Sequence, residues 1–320
     1  MKIILIAYPT TLEYLVPLLE ADNHQVLLLT GNTNINLSRR NSDNLNYIVD
    51  SINTFDPDLV VNAVTHIFLP HSSDYTYIGN TELSSQLETH KWTSRTKASE
   101  LGWSLPTLLE ECKMNTVSDY NRTVYVKPKG PSPTHQIYKL TTDLARIKNQ
   151  SNESASTIFN NIMTNEGLSD IDAYVEDSVD YEVEAWCFFT ISNGSYSIIR
   201  TLGCTGYGDD KLVYTTGDWR QGDITLVDLT DAQRAAFITK CEAWLDYAVT
   251  LGGNYEGTLG GAITDDNTVY WFEQNSRPGT YNIGMLPGTV QDWIDGLTTD
   301  STKSINQITA ATIRSERGFG

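Results

Sequence analysis

The chain has 320 residues, of which 40% are hydrophobic, and a formal net charge of -18 at pH 7. A chain of this length can bury a large core and divide into lobes. The charge argues against a general nucleic-acid binder, since no basic stripe offsets phosphate repulsion. No apolar run in the sequence approaches the roughly 20 residues of a membrane span. Widely spaced cysteines without a metal-ligand pattern, and an apolar start too short for a secretory signal, predict a cytoplasmic protein with reduced thiols.

The first part of the chain, residues 1 to about 79, is predicted to be a small α/β unit. Strands and helical patterns alternate, which indicates parallel strands with helices packed on them. The loop after the first strand has no Gly-rich fingerprint, so no dinucleotide site is predicted there. The predicted strands cover residues 3–7, 26–30 and 58–64, and the predicted helices cover 11–21 and 48–55.

Two lysines occupy positions that suit an anionic ligand. Thr89 is expected to cap a helix, which puts Lys91 at a helix start, where the dipole disfavours a cation. A solvated surface lysine is the alternative. Lys127 lies inside the apolar strand 124–130, and a lysine in such a strand needs an anionic partner, which phosphate oxygens would supply.

An acidic connector follows further along the chain. One strand is predicted to end near Glu176 and another to run over 181–191. The backbone of the connector, 177–179, can pair with an adenine edge. Glu182 and Glu184 share one face of the second strand, although an exposed strand with outward polar residues explains Glu184 equally well.

The segment 268–274 is β-branched and aromatic, which predicts a strand paired in a hairpin with 258–263. Because side chains alternate along a strand, Glu273 and Asn275 share a face and offer the hard oxygen ligands that suit Mg²⁺. Arg277 adds a planar cation that can grip a phosphate or carboxylate. Metal and anion together indicate phosphoryl chemistry; the alternative is a strand-end ion pair between Glu273 and Arg277.

The remaining stretches carry weaker patterns. They predict a polar mobile lobe over 141–168, a loop-rich stretch over 200–223, one long helix over 231–251, and two closing helices over 289–296 and 302–314.

The order of these motifs resembles the ATP-grasp superfamily, and within it the phosphoribosylamine–glycine ligase (GAR synthetase-like) family. The likeness covers roughly residues 79–290. It implies an α/β protein with α+β lobes, an ATP-grasp fold preceded by a small Rossmann-like α/β pre-ATP-grasp domain. The implied divisions are this domain (1–79), a helical segment of the core (80–122), a lid lobe (123–178) and a C-terminal lobe with the Mg/ATP site (179–320).

The resemblance also implies roles for individual residues. Lys91 and Lys127 would hold ATP phosphates, and Glu182 would meet the ribose. Glu273 and Asn275 would bind Mg²⁺ (or Mn²⁺). Lys127 and Arg277 would be catalytic. The adenine contacts would be Glu176 and the backbone of Asp177 to Val179, and the substrate contacts would be Asp218, Gly279 and Thr280.

The activity implied is an ATP-dependent ligase joining a small-molecule carboxylic acid to an amine through an acyl phosphate, with glycine as one candidate acid. The sequence departs from the family pattern in the lid loop 130–135, which has two prolines and no lysine within it. It departs again at 7–11, which replaces a Gly-rich amine-substrate loop. These departures favour a ligase with an altered acceptor. The alternatives are an ATP-grasp small-molecule kinase and a degenerate nucleotide-binding protein.

Overall fold

The computed structural model describes residues 1–7, 15–21, 23–30, 42–64, 69, 74–130, 137–141, 153–205 and 225–276. These residues form three β-sheets, of four, five and four strands, with helices packed against them. None of the helices within these ranges combines the length and apolar character that crossing a bilayer requires.

The first sheet contains four parallel strands in the order β2-β1-β3-β4. Strand β1 is central and apolar on both faces, so alternate residues enter two separate core clusters. This confirms the predicted parallel α/β unit and adds β4, which the sequence pattern did not reveal. Its elements are β1 (Lys2–Ile6), α1 (Leu15–Ala21), β2 (Gln25–Leu29), α2 (Ser42–Phe55), β3 (Leu59–Asn62) and β4 (Thr76–Ile78).

Two short helices, α3 (Glu82–Thr89) and α4 (Lys91–Glu100), follow this sheet. Thr81 caps α3 in a capping box, because its hydroxyl accepts from the backbone of Ser84 while the Ser84 side chain accepts from Thr81. The expectation that Thr89 caps α4 is wrong. Its hydroxyl instead donates to the carbonyl of Ser85 at 3.1 Å, and the N-cap of α4 is His90, whose side chain makes no capping bond.

The second sheet is antiparallel, with strand order β5-β8-β6-β7. Helix α5 covers one face and buries Ile158, Phe159 and Met163 in the core of this sheet. Residues 155–165 therefore belong to this core and do not form the polar mobile lobe that was expected. The elements are β5 (Leu108–Lys113), β6 (Val124–Pro128), β7 (Tyr138–Leu140), α5 (Ala155–Asn165) and β8 (Asp172–Asp177).

The third sheet has five strands in the order β11-β10-β9-β12-β13, and its strand pairings are all antiparallel. Helix α6 lies on one face, with Phe237, Cys241 and Trp244 in the largest core cluster. The stretch expected to be loop-rich begins inside β10, so that expectation is wrong for residues 200–205. The elements are β9 (Val183–Ser192), β10 (Ser195–Thr205), β11 (Thr225–Val227), α6 (Asp231–Val249), β12 (Tyr255–Ile263) and β13 (Val269–Asn275).

Candidate active site

The end of β13 presents the two residues predicted to bind metal. Register pairs Glu273 with Gly260 and Asn275 with Thr258 on the neighbouring strand. Between them Gln274 points to the opposite, fully buried face, where its side-chain Oε1 accepts from the indole nitrogen of Trp244. Alternation therefore places Glu273 and Asn275 together on the face turned away from helix α6.

Hydrogen bonds to helix α3 fix this strand end. The backbone amide of Ser276 donates to the Glu88 carboxylate at 3.0 Å, and its hydroxyl donates to the carbonyl of Ser84 at 3.0 Å. The Gln274 amide nitrogen donates to the same hydroxyl at 2.6 Å. Because these groups are buried, their bonds are costly to break and hold the last residues of β13 in place.

Lys91 reaches this strand from the first turn of α4. Its Nζ lies 2.9 Å from the carboxylate Oε2 of Glu273, and the two side chains are 6% and 32% exposed. The ion pair explains how a lysine is tolerated at a helix start, since the nearby carboxylate offsets the unfavourable helix dipole. The structure thus brings together two residues predicted separately as phosphate and metal ligands.

A second charged cluster joins α4 to the second sheet. Lys127 Nζ lies 2.8 Å from Oε2 of Glu176, and Arg95 Nε lies 2.6 Å from Oε1 of the same carboxylate. The side chains of Arg95, Lys127 and Glu176 are 14%, 7% and 2% exposed. Arg95 was not among the predicted site residues. Its spacing of four from Lys91, one helical turn, was the signal that could have found it.

Tyr174 is buried and close enough to both charged clusters to feel their charges. Burial raises the pKa of its phenol well above 10.0, the nearby carboxylate of Glu176 raises it further, and Arg95 opposes the shift. The ring packs edge-on against Trp92, with the ring centroids 5.2 Å apart. The phenol is therefore neutral across the physiological range and contributes packing rather than charge.

The connector after β8 is partly engaged with the protein itself. The amide of Asp177 donates to the carbonyl of Thr107 at 2.9 Å, and that of Ser178 donates to the Asp177 carboxylate at 3.1 Å. Within the described part of the chain, the backbone of Val179 makes no hydrogen bond. Its amide and carbonyl are therefore available to a base edge.

Glu182 and Glu184 lie just beyond this connector. The carboxylate of Glu182 accepts from the side-chain amide of Gln233 at 3.0 Å, while that of Glu184 accepts from the indole nitrogen of Trp186 at 2.7 Å. The neutral amide of Gln233 thus orients Glu182 without supplying an opposite charge. A carboxylate held in this way suits a hydroxyl-bearing ligand such as a ribose.

The donor set for a metal is small. In the described ranges no group of three His, Cys, Asp or Glu residues is placed to hold an ion. Asn275 donates through its amide nitrogen to the Thr258 hydroxyl at 3.2 Å, which leaves its oxygen, the atom that binds cations. One carboxylate from Glu273 and this amide oxygen fit a Mg²⁺ that takes its other ligands from phosphates and water. Lys91 would then share the Glu273 carboxylate with such an ion.

Several predicted residues lie outside the described part of the chain. They are Arg277, Asp218, Gly279 and Thr280, together with residues 131–135 of the lid loop and the two predicted closing helices. Their roles stay predictions.

Protein-family models and curated protein sequences give no match to the chain. Among solved structures it is similar to an L-amino acid ligase from Bacillus licheniformis, with 13% identity and a TM-score of 0.56 over 89% of this chain and 69% of that one. It is also similar to an N5-carboxyaminoimidazole synthetase from Staphylococcus aureus, complexed with ADP, with 12% identity and a TM-score of 0.57 over 95% of this chain and 79% of that one. A third similar structure is D-alanyl-alanine synthetase A from Vibrio cholerae, with 16% identity and a TM-score of 0.55 over 93% of this chain and 97% of that one.

This likeness shows that the chain has an ATP-grasp fold, which confirms the fold class expected from the order of the motifs. At such low identity the likeness defines the fold alone, so the chemistry must be argued from the site.

Proposed function

We propose that the chain is an ATP-dependent carboxylate–amine ligase that forms an amide bond and releases ADP and phosphate. The observation that carries this proposal is the pair of buried lysines, Lys91 and Lys127, each held by one glutamate at 2.9 or 2.8 Å. A buried ammonium is costly without an anion. Lys91 contacts the strand end that carries Glu273 and Asn275, and Lys127 shares Glu176 with Arg95 of the same helix as Lys91, an arrangement suited to a polyphosphate.

The structural neighbours support the nucleotide and the reaction class. The three proteins compared are named as ligases or synthetases, and one of them was solved with ADP. Since the present chain shares their fold, ATP is the proposed co-substrate. The acid and the amine are proposed to be small molecules.

In the proposed mechanism the residues of the chain act by positioning and by neutralising charge. Lys91 and Lys127 bind phosphate oxygens, the backbone at Asp177 to Val179 meets the adenine, and Glu182 binds the ribose. A carboxylate oxygen of the acid then attacks the terminal phosphorus, ADP leaves, and the amine displaces phosphate from the resulting acyl phosphate. Arg277, which lies outside the described residues, is proposed to steady the transferred group.

Glu273 and Asn275 are the residues proposed to hold Mg²⁺ (or Mn²⁺). When bound, the ion supplies neutralisation of phosphate charge. The contribution of the chain is to fix the two oxygen ligands on one face of β13, through the buried bonds of Gln274 and Ser276.

The likeness to phosphoribosylamine–glycine ligase is retained as a hypothesis about the acid, for which glycine is one candidate. The altered segments 7–11 and 130–135 favour a different amine. Asp218, Gly279 and Thr280 are proposed substrate contacts. A second candidate, a nucleotide-binding protein without turnover, is favoured by one observation: within the described ranges no three His, Cys, Asp or Glu residues are grouped to hold an ion, and Glu273 is already paired with Lys91.

An ADP-release screen that combines amino acids with amines, nucleotides and sugars tests the proposal. ADP release that requires both an acid and an amine supports the ligase. A phosphorylated product formed without an amine supports a kinase, and binding of Mg·ATP without turnover supports the second candidate.

Glu273→Ala is expected to abolish ADP formation without changing the circular dichroism spectrum, because it removes the one carboxylate proposed to bind the metal. Glu100→Ala is the matched control, since its pair with Lys97 is on the surface. Unchanged turnover in the Glu273 variant would remove the assigned metal site.

A further inference from the structure

The cluster of Arg95, Lys127 and Glu176 contains more positive than negative charge. Two cations contact the two oxygens of a single carboxylate, at 2.6 and 2.8 Å, so one positive charge is left in excess. Of the groups around it, Tyr174 is neutral and Glu273 is engaged by Lys91. Because a buried excess charge is costly, the cluster is suited to receive one more anion.

The two cations of this cluster differ in how firmly they are held. The Arg95 guanidinium donates to Glu176 and also, through Nη2, to the carbonyl of Pro106 at 2.8 Å. It also lies 5.9 Å from the ring centroid of Trp92. Two of these contacts tie it to other parts of the chain, at Glu176 and Pro106, and the third lies within α4. Lys127 has a compact ammonium on a flexible stem, with three rotatable donors.

We infer that Arg95 is a positioning residue that holds Glu176 in place, so that Lys127 can turn to a nucleotide phosphate. This inference rests on the proposed function, since it assumes that the site binds ATP. When Lys127 moves to a phosphate, Glu176 keeps a charged partner and is not left unpaired in the interior. Arg95 therefore lowers the cost of withdrawing Lys127.

The inference predicts a specific competition in a variant without Arg95. In Arg95→Ala, Lys127 becomes the cation on which Glu176 depends, so the carboxylate competes with phosphate for its ammonium. Replacing Glu176 with Gln in that background removes the competing charge while keeping a side chain of the same shape. A purely structural role for Arg95 predicts no such recovery, since the second change would only add to the damage.

The experiment measures binding of Mg²⁺ with the ATP analogue AMP-PNP by calorimetry, for the unaltered chain, Arg95→Ala, and Arg95→Ala combined with Glu176→Gln. Arg95→Ala is expected to raise Kd about tenfold or more, the size of effect seen when one member of a buried charge pair is removed. The double variant is expected to recover most of this loss. Lys97→Ala, on the same helix but paired on the surface with Glu100, is expected to bind as the unaltered chain does.

Arg95→Lys is a second, milder variant, in which one ammonium cannot reproduce both guanidinium bonds. It is expected to bind with an intermediate Kd, and thermal unfolding checks that each variant is folded. If the unaltered chain binds AMP-PNP and folded Arg95→Ala or Arg95→Lys binds it with the same Kd, the role of Arg95 is overturned while the proposed function stands. A double variant no tighter than Arg95→Ala would do the same. Failure of the unaltered chain to bind AMP-PNP would overturn this inference together with the proposed function.

Discussion

Strand β8 carries two acidic residues whose ion pairs have the same length but opposite surroundings. Glu176 is 2% exposed and lies 2.8 Å from Lys127, whereas Asp172 is 69% exposed and lies 2.8 Å from Lys113. We predict that Glu176→Ala lowers the free energy of unfolding by about 3–5 kcal/mol, because it leaves two buried cations without their carboxylate. Asp172→Ala is expected to change it little, because water and salt screen an exposed pair.

Urea unfolding followed by circular dichroism and tryptophan fluorescence measures both variants. A loss of about 3–5 kcal/mol is a large part of the roughly 5–15 kcal/mol that stabilises a typical protein. With slopes of about 1–3 kcal/mol per molar urea, the Glu176 variant should unfold about 1 M or more earlier. Equal midpoints for the two variants would refute the reasoning that burial sets the value of this pair.

Three further variants test other contacts of the site. In Gly257→Ala the new Cβ would lie 2.5 Å from the carbonyl oxygen of Asn275. We therefore expect the free energy of unfolding, measured with urea, to fall by about 1–3 kcal/mol. An unchanged midpoint would contradict this contact. Burial lowers the pKa of His90 from 6.5. The stability tied to its neutral ring is therefore present above pH 6.5 and lost as the pH falls through the lowered value, and His90→Gln should reduce that loss in a pH series. Lys91→Met frees the Glu273 carboxylate, so Mn²⁺ alone should bind more tightly by calorimetry while AMP-PNP binds more weakly; weakening of both would count against a shared carboxylate.

The sequence was sufficient where local rules decide the outcome. Alternation along β13 gave the shared face of Glu273 and Asn275, since each strand residue reverses the direction of its neighbour. The cap at Thr81 is equally local, since its hydroxyl accepts from the backbone amide of Ser84, three residues ahead. These features depend on neighbours in the chain, which a single sequence displays.

Contacts between distant parts of the chain were not visible in the same way. Arg95 was missed because its partner, Glu176, is 81 residues away, and the meeting of α4 with β8 follows from sheet order rather than from spacing. Gly203 belongs to the stretch 200–223 that was predicted to be loop-rich, yet it lies in β10. A Cβ there would come within 2.9 Å of Leu229, Val183 and the carbonyl of Val227. Glycine at this position reflects close packing in the strand and not a turn.

Helix α4 connects the two charged clusters, because it carries one cation of each. Lys91 and Arg95, one helical turn apart, pair with carboxylates of different sheets, Glu273 on β13 and Glu176 on β8. Lys127 contacts the same carboxylate as Arg95. A phosphate that draws Lys91 from Glu273 weakens the contact of α4 with the third sheet, whereas one that draws Lys127 from Glu176 leaves the contact of α4 with the second sheet intact. On the proposed function, nucleotide binding would therefore act unequally on the two sheets, and the ion pair between α4 and β13 is the contact that metal and phosphates would have to replace.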